Sequence, residues 1–352
     1  MTPTRILVTG AAGFIGNACV REFLARGFRV TALAHRRIPR RPQGMEMVSG
    51  SLSDRRSLAS AIVQRGPFDA VVNCAGMASD VARTSRLMEA NYHGVRNLVE
   101  CMRQQPGRRL VQISTSDVYG IRDFVDADET TPLEDNLHQA YPRSKILAER
   151  FITATLPSNR YVILRPGAVC GPGDTTILPR VLSFLRHSRY VIHFGRWRGH
   201  NRWPLAHVRN VAKAAMLAAT CDEALGQAYN VVDPKITTVE QYCRWVLRTF
   251  LPNKAAIKSL SVPLAAAWPY GLISSLASRT MGRDRPLFDP SLYALYSISS
   301  NLDFSSRKLQ QLFDRHGEQF LDSFDMSGLP GNADADEPGP HASEVKASGR
   351  GS

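Results

Sequence analysis

Arg5-Ile-Leu-Val-Thr-Gly10-Ala-Ala-Gly13-Phe-Ile-Gly16 reads as a short apolar strand running into a glycine turn and then an apolar-periodic helix. That junction brings backbone N–H groups and the positive end of a helix to one point, where a pyrophosphate can dock. Gly10 permits the tight turn, Gly13 lets the backbone approach the phosphates, and Gly16 lets the helix lie close against the strand. Gly10, Gly13, Phe14, Ile15 and Gly16 are therefore candidate phosphate-facing positions.

The same alternation continues along the chain. Apolar runs at Arg5–Val8, Arg29–Leu33, Ala70–Val72, Leu110–Ile113 and Tyr161–Leu164 are separated by helical patterns such as Asn17–Arg26, Ser57–Gln64 and Tyr92–Arg103. Short buried strands spaced by helices of this length predict an α/β fold, a doubly wound parallel sheet of Rossmann type. After about residue 170 the pattern loosens, with Pro172, Pro179 and Pro204 and helices near Val208–Ala219 and Val239–Phe250. The expected organisation is a dinucleotide-binding domain mainly over 1–170 and a smaller substrate lobe mainly over 171–326. Some of the lobe's strands and helices are expected to return to the core. The Gly-, Pro-, Asp- and Ser-rich residues 327–352 read as a disordered tail. Leu260–Ala277 is apolar but carries Pro263 and Pro269 and is only marginally long enough to span a bilayer. It reads as a lid or buried helix, with peripheral membrane contact as the alternative and no transmembrane segment.

With 352 residues, 43% hydrophobic and 21% charged, the composition is that of an ordinary globular protein. The first residues lack a signal-peptide pattern. The six cysteines, at 19, 74, 101, 170, 221 and 243, form no Cys-x-x-Cys pair. Reduced thiols, a cytoplasmic location and no metal site are expected. A net charge of +13 raises the question of nucleic acid. The basic residues are spread along the chain without a recognised nucleic-acid motif, so a solvated arginine-rich surface is the preferred reading, with no nucleic-acid partner.

Tyr141-Pro-Arg-Ser-Lys145 opens a helical stretch, and residues four apart share a helix face. A nearby ammonium stabilises a phenolate and lowers its pKa, so such a pair can exchange a proton with a secondary alcohol or ketone. Ser114-Thr115-Ser116-Asp117 follows the strand Leu110–Ile113, and a hydroxyl there can donate to the same substrate oxygen. An acid about 20 residues past the glycines would accept from a ribose 2′-hydroxyl. Here strand two ends in Ala34-His35-Arg36-Arg37, without one. Guanidiniums suit a 2′-phosphate, so NADP(H) is expected over NAD(H), through His35 and Arg36.

Taken in order, these motifs resemble the extended short-chain dehydrogenases/reductases, the group that includes nucleotide-sugar epimerases and dehydratases and 3β-hydroxysteroid dehydrogenases. The resemblance covers roughly residues 4 to 320. It also rests on Asn73-Cys-Ala-Gly76, Asn91-Tyr-His-Gly94, Arg165-Pro166, Gly171-Pro-Gly-Asp174 and His207-Val208. It implies that Thr115, Tyr141 and Lys145 are catalytic and that Lys145 also holds the nicotinamide ribose. Asn73, Ala75 and Gly76 would line the cofactor cleft, and Leu52 and Asp54 would lie near the adenine, although Ser51 replaces the first acid of that stretch. It further implies a small-molecule substrate and a homodimer.

The branch is less clear-cut. Ser116-Asp117 stands where dehydratases carry an Asp-Glu pair, and Trp203 stands where nucleotide-sugar epimerases carry an arginine, with Arg202 displaced by one. Gly171–Arg180 and the apolar Leu260–Ala277 resemble the 3β-hydroxysteroid branch instead. Ser116, Arg202 and Arg209 are candidate substrate contacts, and the run of arginines at 196, 198, 202 and 209 could equally welcome a diphosphate or decorate a solvated loop. The expectation is hydride transfer to or from a sterol-like or other hydroxy/keto compound. The alternatives are a nucleotide-sugar 4-epimerase with tightly held cofactor, or a non-catalytic dinucleotide sensor.

Overall fold

The computed structural model describes residues 4–34, 42–103, 108–134 and 139–326. His35, Arg36 and Arg37, and the tail expected from residue 327, lie outside the described residues. Seven parallel strands form the central sheet: β1 (Arg5–Thr9), β2 (Arg29–Ala34), β3 (Glu46–Ser49), β4 (Ala70–Asn73), β5 (Arg109–Ile113), β6 (Tyr161–Pro166) and β11 (Ala228–Val231). Their order is β11-β6-β5-β4-β1-β2-β3. Strand order reverses between β1 and β4, so a crevice opens beyond their carboxyl ends.

Both sheet faces are covered, which explains why β1 is apolar at consecutive positions rather than alternate ones. Ile6 and Val8 pack on one side beneath α1 (Phe14–Ala25) and α7 (Val208–Thr220). Leu7 packs on the other with α2 (Arg55–Arg65), α4 (Gly94–Arg103) and α5 (Ala140–Thr155). The short α3 (Thr84–Met88) leads through a π-helical turn, Glu89–His93, into α4. Two strands of the sheet are absent from the sequence reading. Glu46-Met-Val-Ser49 is a half-exposed edge strand, and Ala228-Tyr-Asn-Val231 is interrupted by a buried asparagine, so neither shows an apolar run.

The second lobe sits over those carboxyl ends. It consists of α6 (Leu178–His187), α8 (Val239–Phe250), α9 (Leu264–Thr280) and α10 (Leu292–Ser299), with short strands between them. β7 (Ala168–Cys170) pairs with β10 (Leu205–His207), β9 (Arg202–Trp203) with β12 (Thr237–Thr238), and β8 (Val191–Phe194) with β13 (Ser259–Val262). Leu185, Val191, Trp203, Leu205, Tyr242, Val246 and Leu247 form this lobe's core. α11 (Arg307–Arg315) returns to the sheet, burying Leu309, Leu312 and Phe313 against it. The apolar segment Leu260–Ala277 is two elements rather than one. Pro263, at the N-cap of α9, separates the strand β13 from that helix.

Candidate functional site

The glycine turn is held by contacts that leave no room for a side chain. Gly10 has φ +65°, and a Cβ there would lie 2.6 Å from the Ala75 nitrogen. A Cβ on Gly16 would lie 2.1 Å from the Gly10 carbonyl oxygen, so α1 begins in backbone contact with the turn. The Gly13 amide donates to the Gly10 carbonyl at 2.9 Å. Gly13 is also the N-cap of α1, with no capping side chain and no acidic residue in the first turn. The first-turn amides are left to an anion, which is what a dinucleotide pyrophosphate requires.

Asn73 braces the carboxyl ends of three strands. Its Oδ1 accepts from the Thr9 hydroxyl at 2.5 Å, and its Nδ2 donates to Gln112 Oε1 at 2.8 Å, all of it buried. Asn91 ties the loop after β4 to α5: its Oδ1 accepts from the Met77 amide at 2.8 Å, and its Nδ2 donates to the Ser144 hydroxyl at 3.0 Å. Beneath them, Arg165 and Glu149 form a buried ion pair at 2.7 Å, with Arg165 also donating to the Tyr119 hydroxyl at 2.8 Å. Such a pair fixes geometry more than it adds stability.

Tyr141 and Lys145 lie one turn apart on α5, as their spacing predicts. The Lys145 ammonium donates to the Ile113 carbonyl at 3.0 Å, and a Cβ on Gly76 would lie 3.2 Å from it. Burial lowers Lys145 to about 8, against the opposing pull of Cys74 and Glu149. Tyr141 moves the other way from the lowering that its spacing to a lysine predicts. Burial, then the Asp117 carboxylate, push the phenol above its ordinary value, and only a hydrogen bond with Thr115 opposes them. Asp117, half-buried in the cavity wall, is itself raised by desolvation, and it accepts a short hydrogen bond from the Tyr293 hydroxyl on α10.

Thr115, Asp117, Tyr141, Lys145, Gly76 and the stretch Gly13, Phe14, Ile15 and Gly16 line one cavity of about 530 Å³, with Gly10 behind that wall. Its far end is walled by Val181 and Phe184 of α6, Phe194 of β8, Trp203 of β9, Cys243 of α8 and Ile298 of α10. Among the described residues, the only arginine in the wall is Arg180. It is occupied by two carboxylates, Asp80 at 2.9 Å and Asp289 through two of its nitrogens.

Other residues singled out in the sequence lie elsewhere. Ser116 is buried but outside the cavity wall, Arg202 pairs with Asp303 at 2.5 Å, and Arg209 is exposed at the start of α7. Arg196 pairs with Asp123. Of the two readings left open for these arginines, the solvated loop fits better: Arg202 and Arg196 pair with carboxylates, none of Arg196, Arg198, Arg202 and Arg209 lines the cavity, and Trp203 does. Asn73 and Ala75 stand behind the wall that Cys74 and Gly76 form. Asp54 caps α2, accepting from the Arg56 and Ser57 amides at 2.9 and 3.2 Å, and the Leu52 carbonyl accepts from Asn97. Tyr293 and the Asp80–Arg180–Asp289 group were not legible, because their partners lie 176, 100 and 109 residues away. Among the described residues, no group of His, Cys, Asp or Glu is placed to hold a metal, and no helix is long and apolar enough to cross a membrane.

Known proteins with similar sequences carry related chemistry. A ketoreductase of Stigmatella aurantiaca acting on a farnesyl dihydroquinoline oxide is 27% identical, over 70% of this chain and 73% of its own. The decarboxylating sterol-4-alpha-carboxylate 3-dehydrogenase of Candida albicans is 25% identical, over 81% and 85%. Among solved structures, the UDP-glucose 4-epimerase of Thermus thermophilus in complex with NAD is 26% identical, with a TM-score of 0.59 over 74% of this chain and 86% of that one. The model of the NAD-dependent epimerase/dehydratase family matches residues 6–231, from the first strand of the sheet to its last, and the chain belongs to that family.

Proposed function

We propose that the chain is an NADP(H)-dependent oxidoreductase that interconverts a secondary alcohol and a ketone on a largely apolar molecule. The observation that carries this reading is the continuity of one cavity from the glycine turn, past Tyr141 and Lys145, into an apolar chamber closed by Trp203. Arg180, already bound by two carboxylates, offers no free charge to a diphosphate, which disfavours a nucleotide sugar. In this reading, residues 1–170 mainly carry the cofactor and 171–326 mainly shape the substrate site.

The first-turn amides of α1 would hold the pyrophosphate, and Lys145 would hold the nicotinamide ribose. When bound, the nicotinamide supplies or takes up the hydride. Tyr141 gives its phenolic proton to the carbonyl oxygen in reduction and takes it back in oxidation. Thr115 donates to the same oxygen as charge develops there. The apolar chamber excludes water and orients the substrate. Arg36 and Arg37, which follow Ala34 in the sequence where no acid stands, favour a phosphorylated ribose.

Titration with NADPH and NADH, followed by sterols, β-keto acyl compounds and nucleotide sugars read at the nicotinamide absorbance, tests this reading. Tighter NADPH binding and turnover of an apolar ketone or alcohol are expected, and Tyr141→Phe should lower that turnover about a thousandfold while cofactor affinity persists. Tighter NADH binding would overturn the cofactor assignment. Turnover confined to nucleotide sugars, with no net change in nicotinamide, would replace the oxidoreductase by an epimerase.

A further inference from the structure

Helix α9 is built inside out. Its inner stripe is Ala267, Gly271, Ser274, Ser275 and Ser278, all buried. Gly271 lies so close to α10 that a Cβ would meet the Leu295 side chain at 2.4 Å. The inner serines hold the segment after the helix: Ser278 accepts from the Leu287 amide at 2.8 Å, and Ser275 from the Leu292 amide at 2.9 Å. The large apolar side chains face outward instead. Trp268, Tyr270, Ile273 and Leu276 are exposed, Ile273 by 64%, and Met281 and Phe288 extend the patch. A helix at a water-facing surface ordinarily shows the reverse pattern, and a contiguous exposed apolar patch marks a contact surface.

The free charge beside the helix itself is positive, while the two nearby carboxylates, Asp284 and Asp289, are paired with Arg86 and Arg180. No Asp or Glu occurs between Glu240 and Asp284, whereas Arg279 and Arg283 follow the apolar stripe and Arg285 comes two residues later. An adjoining pocket of about 230 Å³, walled by Val262, Ala267 and Tyr270, shares Phe184, Ile192 and Phe194 with the main cavity. Tyr270, at one edge of the patch, thus borders a pocket that shares walls with the apolar chamber.

We propose that the outer face of α9 docks on an anionic lipid bilayer, its apolar side chains in the acyl boundary and Arg279 and Arg283 at the headgroups, while Arg285 donates to the Thr175 carbonyl at the cavity wall. Aromatic and aliphatic side chains beside arginines match that boundary, and each arginine near an anionic surface adds attraction. A second copy of this chain fits less well, because the α9 segment has no Asp or Glu from residue 241 to 283 to pair with the arginines of its partner.

Co-sedimentation of the full chain with vesicles of phosphatidylcholine and phosphatidylglycerol tests this, against vesicles of phosphatidylcholine alone. Binding to the anionic vesicles that weakens with added salt is expected. Arg279→Gln with Arg283→Gln should reduce it about tenfold, and Ile273→Glu with Leu276→Glu should abolish it. Trp268 emission should shift to the blue on vesicles, and the shift should vanish in Trp268→Phe, a readout that holds even if the glutamate variant fails to fold. A chain that stays in the supernatant, or sediments equally with and without the glutamates, would overturn the proposal. So would a dimer in analytical ultracentrifugation that the same substitutions dissolve, since the face would then belong to a second copy. Vesicle binding is read without turnover, so it stands or falls apart from the substrate assignment.

Discussion

The two ends of the cavity are built by opposite means. At the cofactor end, backbone does the work: a turn whose glycines touch neighbouring backbone, braced by the Thr9–Asn73–Gln112 chain and by Asn91. At the other end, side chains from five separate elements, among them Phe184, Phe194, Trp203 and Ile298, make a wall with few polar groups. The first end tolerates almost no change in shape, whereas the second sets its specificity by volume and polarity. Substitutions at the two ends should therefore fail in different ways.

Gly16→Val should have the largest effect. Its side chain would collide with the Gly10 carbonyl and push α1 off the turn, so dinucleotide affinity should fall about a hundredfold in a direct titration. A variant that bound the cofactor normally would break the contrast between the two ends. Trp203→Arg tests the other end, where loss of a buried aromatic surface should raise KM for an apolar substrate about tenfold and leave cofactor affinity unchanged.

Asp117→Asn probes the seam between the ends. Burial and then the Asp117 carboxylate hold Tyr141 up, so a neutral amide removes the second of these and lowers the pH at which the phenolate forms. The rise of the oxidation rate with pH should shift to lower pH, and an unmoved profile would remove Asp117 from the proton chemistry. The smallest effect expected is on stability. Lys145, lowered to about 8 in the fold, binds its proton more weakly there than in the unfolded chain. The cost of burying its charge is full below that pH and is relieved as pH rises toward the ordinary lysine value. The cofactor-free protein should therefore gain stability over that window, and Lys145→Met should flatten the gain in thermal melts.

The same contrast explains what could be read in advance. The glycine turn, the strand Leu110–Ile113 with Thr115 at its end, and Tyr141 with Lys145 are local patterns, and the structure places them around one cavity. The apolar chamber joins residues far apart in the chain, and no spacing announces that Tyr293 reaches Asp117. The arginines near residue 200 stayed open between two readings for a related reason. Their number is visible in sequence, but not that Asp123 and Asp303 claim two of them. The tyrosine shift was misjudged because spacing shows the lysine one turn away and hides the burial that outweighs it.

The placement of β11 bears on how the molecule folds. The sheet acquires its last strand, along β6, only after the chain has passed through β7, α6, β8, β9, β10 and α7. α7 also supplies Val211, Ala215 and Ala218 to the cover over Ile6 and Val8. A fragment ending near residue 170 would leave β6 as an open edge and one sheet face stripped of a helix, two invitations to aggregate. Assembly of the nucleotide-binding half must then wait for sequence synthesised much later, so the chain should melt as one cooperative unit.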